Sequence, residues 1–357
     1  MSITFDVLGT PGNDNALLVR IDSGQSIERL LFDCGDGCLN SVPFSEIQAI
    51  DHVFFSHFHM DHVAGFDYFF RGVFNRESKP NQIWGPPDSG RILHHRFQGF
   101  LWNLHAEMNG RWRITDIEED ATSTIRLELS EAFATSHDEG RASRRPFLID
   151  GPNYTVEAHT MNHRTPTIAY VVREKPRSNI DTNRLAAMGL RPGPWMKHVK
   201  DRMDKTEVVL INGVSYSVPL LRESLIVETK GDSIAYLTDF LLDDNTVTDL
   251  APTLKGCKTI ICEGQYRHAD LELAQKNFHM TTTLSAQLAS RAGVENLILF
   301  HLSDRYDPKQ WIEMLVEAKQ SFPSTSYPSH WQMDFPAEFA PYFKPVPKSK
   351  PDTNGGF

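Results

Sequence analysis

Three imidazoles and a carboxylate stand within six positions, at His57, His59, Asp61 and His62, directly after the apolar run Val53-Phe54-Phe55. Neutral imidazole and carboxylate are the nitrogen and oxygen donors that zinc prefers, so the cluster reads as a metal site at the end of a strand. Alternation in a strand-like loop would send His57, His59 and Asp61 to one side and leave His62, out of step by one, for a second ion. Two divalent ions about 3.5–4 Å apart can activate water and stabilise the oxygens of a displacement. The spacing therefore points to binuclear hydrolysis rather than to structural zinc.

The elements that must hold this cluster are written in alternating β and α patterns. Ile3 to Leu8, Leu17 to Ile21, Leu30 to Phe32 and His52 to Phe55 predict short strands, with a Gly-Asp-Gly turn at residues 35–37. Phe66, Phe69, Phe70, Val73 and Phe74 recur at helical spacing and predict a helix packed behind the metal loop. Ile125, Leu127 and Leu129 alternate, and Tyr154 to His159, Ile168 to Val172, Ile226 to Glu228 and Ile234 to Leu237 read as strands. Thr259 to Cys262 and Asn296 to Phe300 look like buried ones. Thr281 ahead of Leu284 to Ala292, with Gly293 after it, supplies a helix with a start and a stop. Phe97 to Asp150 is long and polar, and residues 136–145 are expected to form an exposed loop.

At 357 residues and 40% apolar the chain can bury an ample core. No stretch approaches the roughly 18–20 continuous apolar residues of a membrane span. The polar start Met1-Ser2-Ile3-Thr4-Phe5-Asp6 is no secretory signal, so a cytoplasmic location is expected. Cys34, Cys38, Cys257 and Cys262 match neither a zinc ribbon nor a CxxC site and are expected as reduced, mostly buried thiols. A net charge of −10 argues against broad nucleic-acid affinity, so an RNA substrate would need a local basic patch. Arg173 to Lys205 contains one, with nine basic against four acidic side chains around Gly189, Pro192, Gly193, Pro194 and Trp195.

Further motifs complete a pattern. Phe32-Asp33-Cys34-Gly35-Asp36-Gly37 ends a predicted strand in an aspartate, and Asn162-His163-Arg164-Thr165-Pro166-Thr167-Ile168-Ala169-Tyr170 carries a histidine between two strands. Leu237-Thr238-Asp239 supplies another acid, and Phe300-His301-Leu302-Ser303-Asp304-Arg305-Tyr306 another histidine. In this order, from residue 3 to residue 322, the chain resembles the metallo-β-lactamase fold and, within it, the ribonuclease Z family of endonucleases that mature tRNA 3′ ends.

The resemblance implies an α/β (α+β) architecture, a four-layer αββα sandwich. It would occupy residues 1–343 as a single domain, with 173–205 as an inserted basic arm and 344–357 as a disordered tail. Asp33 would brace the metal loop. His57, His59 and His163 would hold one ion and Asp61, His62 and His301 the other, with Asp239 bridging. The implied cofactor is two zinc ions per chain, or manganese or another divalent ion. Asp61 would orient the attacking water or take its proton, while His279, supported by Glu263, would protonate the departing 3′ oxygen. Arg191, Trp195, Lys197 and Lys200 of the arm would grip RNA by charge and stacking.

The implied activity is phosphodiester hydrolysis that removes the 3′ trailer of precursor tRNA, by a homodimer with no membrane association. Two flanks depart from the family, which carries Gly-Asp-Thr and His-Glu-Ala-Thr where this chain has Thr238-Asp239-Phe240 and Cys262-Glu263-Gly264-Gln265. They favour, as the alternative, a hydrolase of the same fold acting on a small phosphodiester or another ester. His137 and His159 lie outside the pattern and are left out of the ligand set.

Overall fold

The computed structural model describes residues 2–201 and 204–331. The first eight strands form one sheet in chain order: β1 (Ser2–Gly9), β2 (Asn15–Asp22), β3 (Ile27–Phe32), β4 (His52–Phe54), β5 (Asn81–Gly85), β6 (Arg111–Ile117), β7 (Ala121–Glu128) and β8 (His137–Ser143). Pairing is antiparallel from β1 to β3, parallel from β3 to β6 and antiparallel again to β8. Period-two alternation sorts the side chains. Leu17, Val19, Leu30, Phe32 and Phe54 join the core shared with the second sheet, whereas Leu18, Leu31, Val53 and Phe55 join a separate core beneath the helices Phe66–Val73 and Ser89–Phe97.

The second half opens with β9 (Ile149–Asp150), β10 (Tyr154–Asn162) and β11 (Pro166–Glu174). An excursion follows, containing β12 (Arg177–Ile180), β13 (Val208–Ile211), β14 (Val214–Ser217) and β15 (Ile226–Thr229). The chain then returns to β16 (Ser233–Leu237), β17 (Thr259–Glu263), β18 (Asn296–Phe300) and β19 (Thr325–Ser326). The second sheet runs β19-β18-β17-β16-β11-β10-β9, parallel from β16 to β19, and the helices Asp244–Leu254, Thr282–Ala292 and Pro308–Ser321 pack with it. Helix, sheet, sheet, helix is the αββα order expected. Thr281 caps its helix by accepting from Leu284 N–H, and Gly293 closes it at φ 65°. No helix among the described residues is long and apolar enough to cross a membrane. All four cysteines are buried and unpaired.

Three local expectations change. Residues 136–145 are not a loop, because His137–Ser143 pairs with β7 as the sheet's last strand. Backbone pairing requires no apolar face, and a charged, exposed strand such as this one suits an edge. The metal loop is extended only through His59. A one-turn helix, Met60–Val63, begins next, so Asp61 turns away from His57 and His59 and joins His62. The excursion, finally, is wider than its basic stretch, and its described residues carry a fold of their own. β12 and β15 pair at its base, and Ile180, Leu185, Trp195, Val199, Ile211, Val218, Leu221 and Leu225 form its own core. The expected tail, 344–357, lies outside the described residues.

Candidate metal centre and active site

The site lies where strand ends from both sheets meet. Asp33, Asp239 and His301 follow β3, β16 and β18 within two residues, and each adopts a left-handed backbone, at φ 56°, 51° and 54°. This conformation costs a residue with a β-carbon about 1–2 kcal/mol, and its recurrence at three strand ends marks positions where side-chain direction outweighs local comfort. Gly35 serves the same end by close approach, since a β-carbon there would lie 2.6 Å from the Asp61 carbonyl oxygen.

Asp33 organises the cluster from behind. Its carboxylate accepts from Ser56 N–H at 2.7 Å, Ser56 Oγ at 2.7 Å, His62 Nδ1 at 2.8 Å and Tyr236 OH at 2.8 Å. Because Ser56 Oγ donates to Asp33, His57 Nδ1 donates in turn to Ser56 Oγ at 3.0 Å. His163 Nδ1 donates to the Phe278 carbonyl at 2.8 Å. In their neutral form these three imidazoles therefore carry the proton on Nδ1 and present a bare Nε2, the tautomer that metal ligation requires.

Those nitrogens converge on Asp239. In one group, His62 Nε2 and His301 Nε2 are 3.1 Å apart, Asp61 Oδ2 lies 3.5 and 3.4 Å from them, and Asp239 lies 3.3 and 3.5 Å from them. The corners of a tetrahedron with bonds of about 2.0–2.1 Å stand about 3.3 Å apart, so the spacing fits a small divalent cation. In the other group, His57, His59 and His163 stand together, with Asp239 Oδ2 at 3.8 Å from His57 Nε2 and 3.9 Å from His163 Nε2. His57 Nε2 is buried without a hydrogen-bond partner, which a metal ion would supply. All seven expected ligands are thus brought together.

Electrostatics divide the two groups. Burial holds His57 well below the ordinary imidazole range and lowers His163. Burial also opposes protonation of His62 and His301, but Asp239 and Asp33 outweigh it at His62, and Asp239 with Asp61 lifts His301 to about 9. Asp61, although partly desolvated, is kept well below the usual carboxylate range by His301 and His62.

His279 and Glu263 form a dyad beside the ligands. His279 Nδ1 lies 2.9 Å from Glu263 Oε2. Burial would lower the imidazole, but the buried Glu263 carboxylate raises it. His279 also stands within ligand distance of His163 and Asp239, yet Glu263 claims its Nδ1 and leaves Nε2 for a substrate oxygen. The first altered flank does not reach the mouth directly: Phe240 is fully buried, and Thr238 is buried with its hydroxyl on Asp239 Oδ1.

Other residues fall elsewhere. Arg191, Lys197 and Lys200 are exposed on the folded arm, but Trp195 is 8% exposed and packs in its core, so it is not presented for stacking. His137 pairs with Glu131, and neither it nor His159 joins a ligand cluster among the described residues. Sequence reasoning missed Ser56, Tyr236, Asn15, whose Oδ1 accepts from His301 N–H at 3.1 Å, and Gln265, whose amide faces His301 Nδ1 at 3.4 Å. Asn15 and Tyr236 carried a signal, since each places a polar group in an apolar strand where burial demands a partner.

Comparison with known proteins bears on this geometry. A model of the Beta-lactamase superfamily domain matches residues 28–218. The chain is 46% identical to Ribonuclease Z of Deinococcus radiodurans over 325 residues, 91% of this chain and 97% of that one. It is 29% identical to Ribonuclease Z of a Synechococcus strain, CC9605, over 340 residues, covering 91% and 94%. Among solved structures, the metallo-beta-lactamase fold protein YhfI from Bacillus subtilis superposes with a TM-score of 0.52 at 16% identity, covering 92% of this chain and 96% of that one. A long form RNase Z from yeast gives 0.53 at 12% identity, over 85% of this chain and 38% of that one. Twelve to sixteen per cent identity speaks to the fold alone, whereas 46% across nearly the whole length speaks to kinship: this chain belongs to the beta-lactamase superfamily and, within it, to the ribonuclease Z family.

Proposed function

We propose that this protein is a zinc-dependent endoribonuclease that removes the 3′ trailer of precursor tRNA. The observation that carries the reading is the gathering of seven donors, Asp239 among them, beside the His279–Glu263 dyad, in a chain 46% identical to a Ribonuclease Z. His57, His59 and His163 would hold one ion and Asp61, His62 and His301 a second, with Asp239 shared. Two such ions would lower the pKa of a water towards about 7 and offset the charge gathering on the phosphoryl oxygens.

The chain's own side chains direct the rest. The depressed pKa of Asp61 makes it a poor base, so its role is to orient the attacking water. Attack forms a phosphorus–oxygen bond and breaks the bond to O3′, and His279, kept protonated by Glu263, delivers its proton to that oxygen through Nε2. The products are tRNA with a 3′ hydroxyl and a trailer with a 5′ phosphate. Arg191, Lys197 and Lys200 would hold RNA backbone at a distance from the cut. We place the enzyme in the cytoplasm as a homodimer. Exposed Phe44, Met60 and Tyr68, on the helices Phe44–Ala49, Met60–Val63 and Phe66–Val73, are apolar side chains available to a second copy, and a native mass of one 40.6 kDa chain would remove the dimer.

Incubation with a 3′-extended tRNA is expected to yield those two ends in a chelator-sensitive reaction. Hydrolysis of a small aryl phosphodiester with the precursor left intact would replace this reading with the small-ester one.

Acidification is expected to strip the two ions in order. Ligands must be deprotonated to bind. In the metal-free protein His62 and His301 hold their protons above the ordinary pKa, while burial keeps His57 and His163 neutral. Protons therefore compete hardest at the Asp61, His62 and His301 set, which should empty at a higher pH than the other. Metal per chain, measured by mass spectrometry after dialysis from pH 8 to 5, should fall from two to one and then to zero. A single step from two to zero would contradict the division.

A further inference from the structure

We propose that Arg164 is a specificity-determining residue that takes the RNA phosphate next to the scissile one, on the mature-tRNA side of the cut. The inference rests on the nuclease reading above and deepens it. Arg164 sits at the tip of the tight turn between β10 and β11, where Asn162 pairs with Pro166 and His163 N–H donates to the Thr165 carbonyl at 3.0 Å. Its backbone is left-handed, at φ 59°, and its N–H is held by Asn162 Oδ1 at 2.9 Å. Glycine or asparagine would suit such a turn better, so a long cation here is not explained by the turn.

The guanidinium crosses to the loop that carries His279. Nη2 donates to the Lys276 carbonyl, and the group lies over the Phe278 ring, 5.2 Å from its centroid. Together these contacts aim the side chain while using one of its five N–H donors, and among the described residues no ion pair with a carboxylate takes the others. The Phe278 carbonyl also receives His163 Nδ1, so the cation and a ligand of the first set share one support. Beside them opens a hollow of about 320 Å³ lined by His59, His163, Arg164, Thr165 and Asn277. Two imidazoles, an amide, a hydroxyl and an oriented guanidinium suit a phosphate and its ribose, since the planar fork matches phosphate oxygens.

Chain direction follows from the leaving group. An in-line displacement sends O3′ away from the attacking water, and His279 is the group that receives it. Phe278, which carries the Arg164 guanidinium, immediately precedes His279. The nucleotide that departs through O3′ is the last one of the mature tRNA, so its own 5′ phosphate is the one within reach of Arg164.

Arg164→Ala and Arg164→Lys test this against the parental enzyme with four probes: 3′-extended tRNA, a small aryl phosphodiester, mature tRNA as inhibitor and a 5′-phosphorylated trailer oligonucleotide as inhibitor. For Arg164→Ala the expected result is a rise in KM for the precursor and a matching loss of inhibition by mature tRNA, each of about tenfold. The loss of kcat/KM should fall selectively on the precursor relative to the aryl diester. The log–log salt slope of precursor binding should flatten by about 0.7. Arg164→Lys should recover part of the loss, because the charge returns without the fork. Parental KM in both variants overturns the proposal, and so does weakened inhibition by the trailer alone, which would put the contact on the other side of the cut. Equal loss on precursor and aryl diester also overturns it, by reducing Arg164 to a tie between two loops. If the parental enzyme hydrolyses the aryl diester but not the precursor, the nuclease reading itself has failed, and Arg164 has no such phosphate to take.

Discussion

His279→Ala is expected to slow cleavage of precursor tRNA by about 10² to 10⁴ while leaving the metal content of the protein unchanged. The imidazole gives Nδ1 to Glu263 and turns Nε2 to the substrate, outside the seven ligands, so its loss removes a proton donor and not a metal. Asp61→Ala should behave differently, losing nearly all turnover and part of the metal together, because Asp61 Oδ2 lies 3.5 and 3.4 Å from two ligand nitrogens and the same carboxylate orients water. The pH profile separates the roles further. Glu263 raises the pKa of His279, so the acid form persists to higher pH than for an ordinary histidine, and loss of that proton gives parental kcat an alkaline limb distinct from the acid-side loss that accompanies metal release. That alkaline limb should vanish in His279→Ala and move to lower pH in Glu263→Gln, which removes the charge that lifts the imidazole. Metal analysis and kcat across pH 6 to 10 decide it. Precursor cleavage by His279→Ala at the parental rate would show that O3′ takes its proton from elsewhere.

Excision of the arm is expected to separate the two substrate classes. Trp195 and Val199 belong to the arm's own core, so replacing only the stretch around them would unfold it and blur the result. The whole unit offers a cleaner cut, because Arg177 pairs with Thr229 at its base and a short Gly-Ser turn can join the flanking residues. The variant should bind two metals and hydrolyse a small aryl phosphodiester, while KM for precursor tRNA rises and the salt slope of RNA binding flattens by about 2 to 3 as three phosphate contacts go. Counted from residue 177 to 229, the unit carries eight basic against six acidic side chains, a weaker excess than its first part alone. Three of its cations have structural partners: Arg177 faces Glu174, Arg184 faces Asp181, and Arg222 donates to the carbonyls of His198, Val199 and Asp201. Exposed Arg191, Lys197 and Lys200 lie together in the remaining set, and converting these three to Glu should reproduce most of the effect without excision. Undiminished processing of precursor tRNA by both variants would leave the arm as a solvated subdomain.

What this chain determined by its sequence is what local chemistry determines. Residue type and spacing mark the ligands His57, His59, Asp61 and His62, alternation marks a strand such as β18 at Asn296–Phe300, cap residues mark the helix between Thr281 and Gly293, and the resemblance of flanking motifs to the family added His163, Asp239 and His301. Tertiary structure decided what depends on partners distant in sequence. Asp61 joins His62, as the family resemblance implied and strand alternation did not, because a helical turn begins at Met60, which a period of two along the chain does not register. Residues 137–143 became a strand because β7 had a free edge, although their side chains carry no strand pattern. Trp195 looked like a stacking platform in a Gly-Pro-rich basic run, but a core assembled from Ile180 to Leu225 buries it, and apolar area removed from water outweighs an exposed aromatic. The same holds for the supports of the metal centre. Ser56, Tyr236 and Asn15 are ordinary residues in a one-dimensional reading, and only the meeting of two sheets puts their hydrogen bonds onto Asp33 and the His301 backbone, so that Ser56 and Asp33 orient the His57 and His62 rings and Asn15 holds the chain at His301.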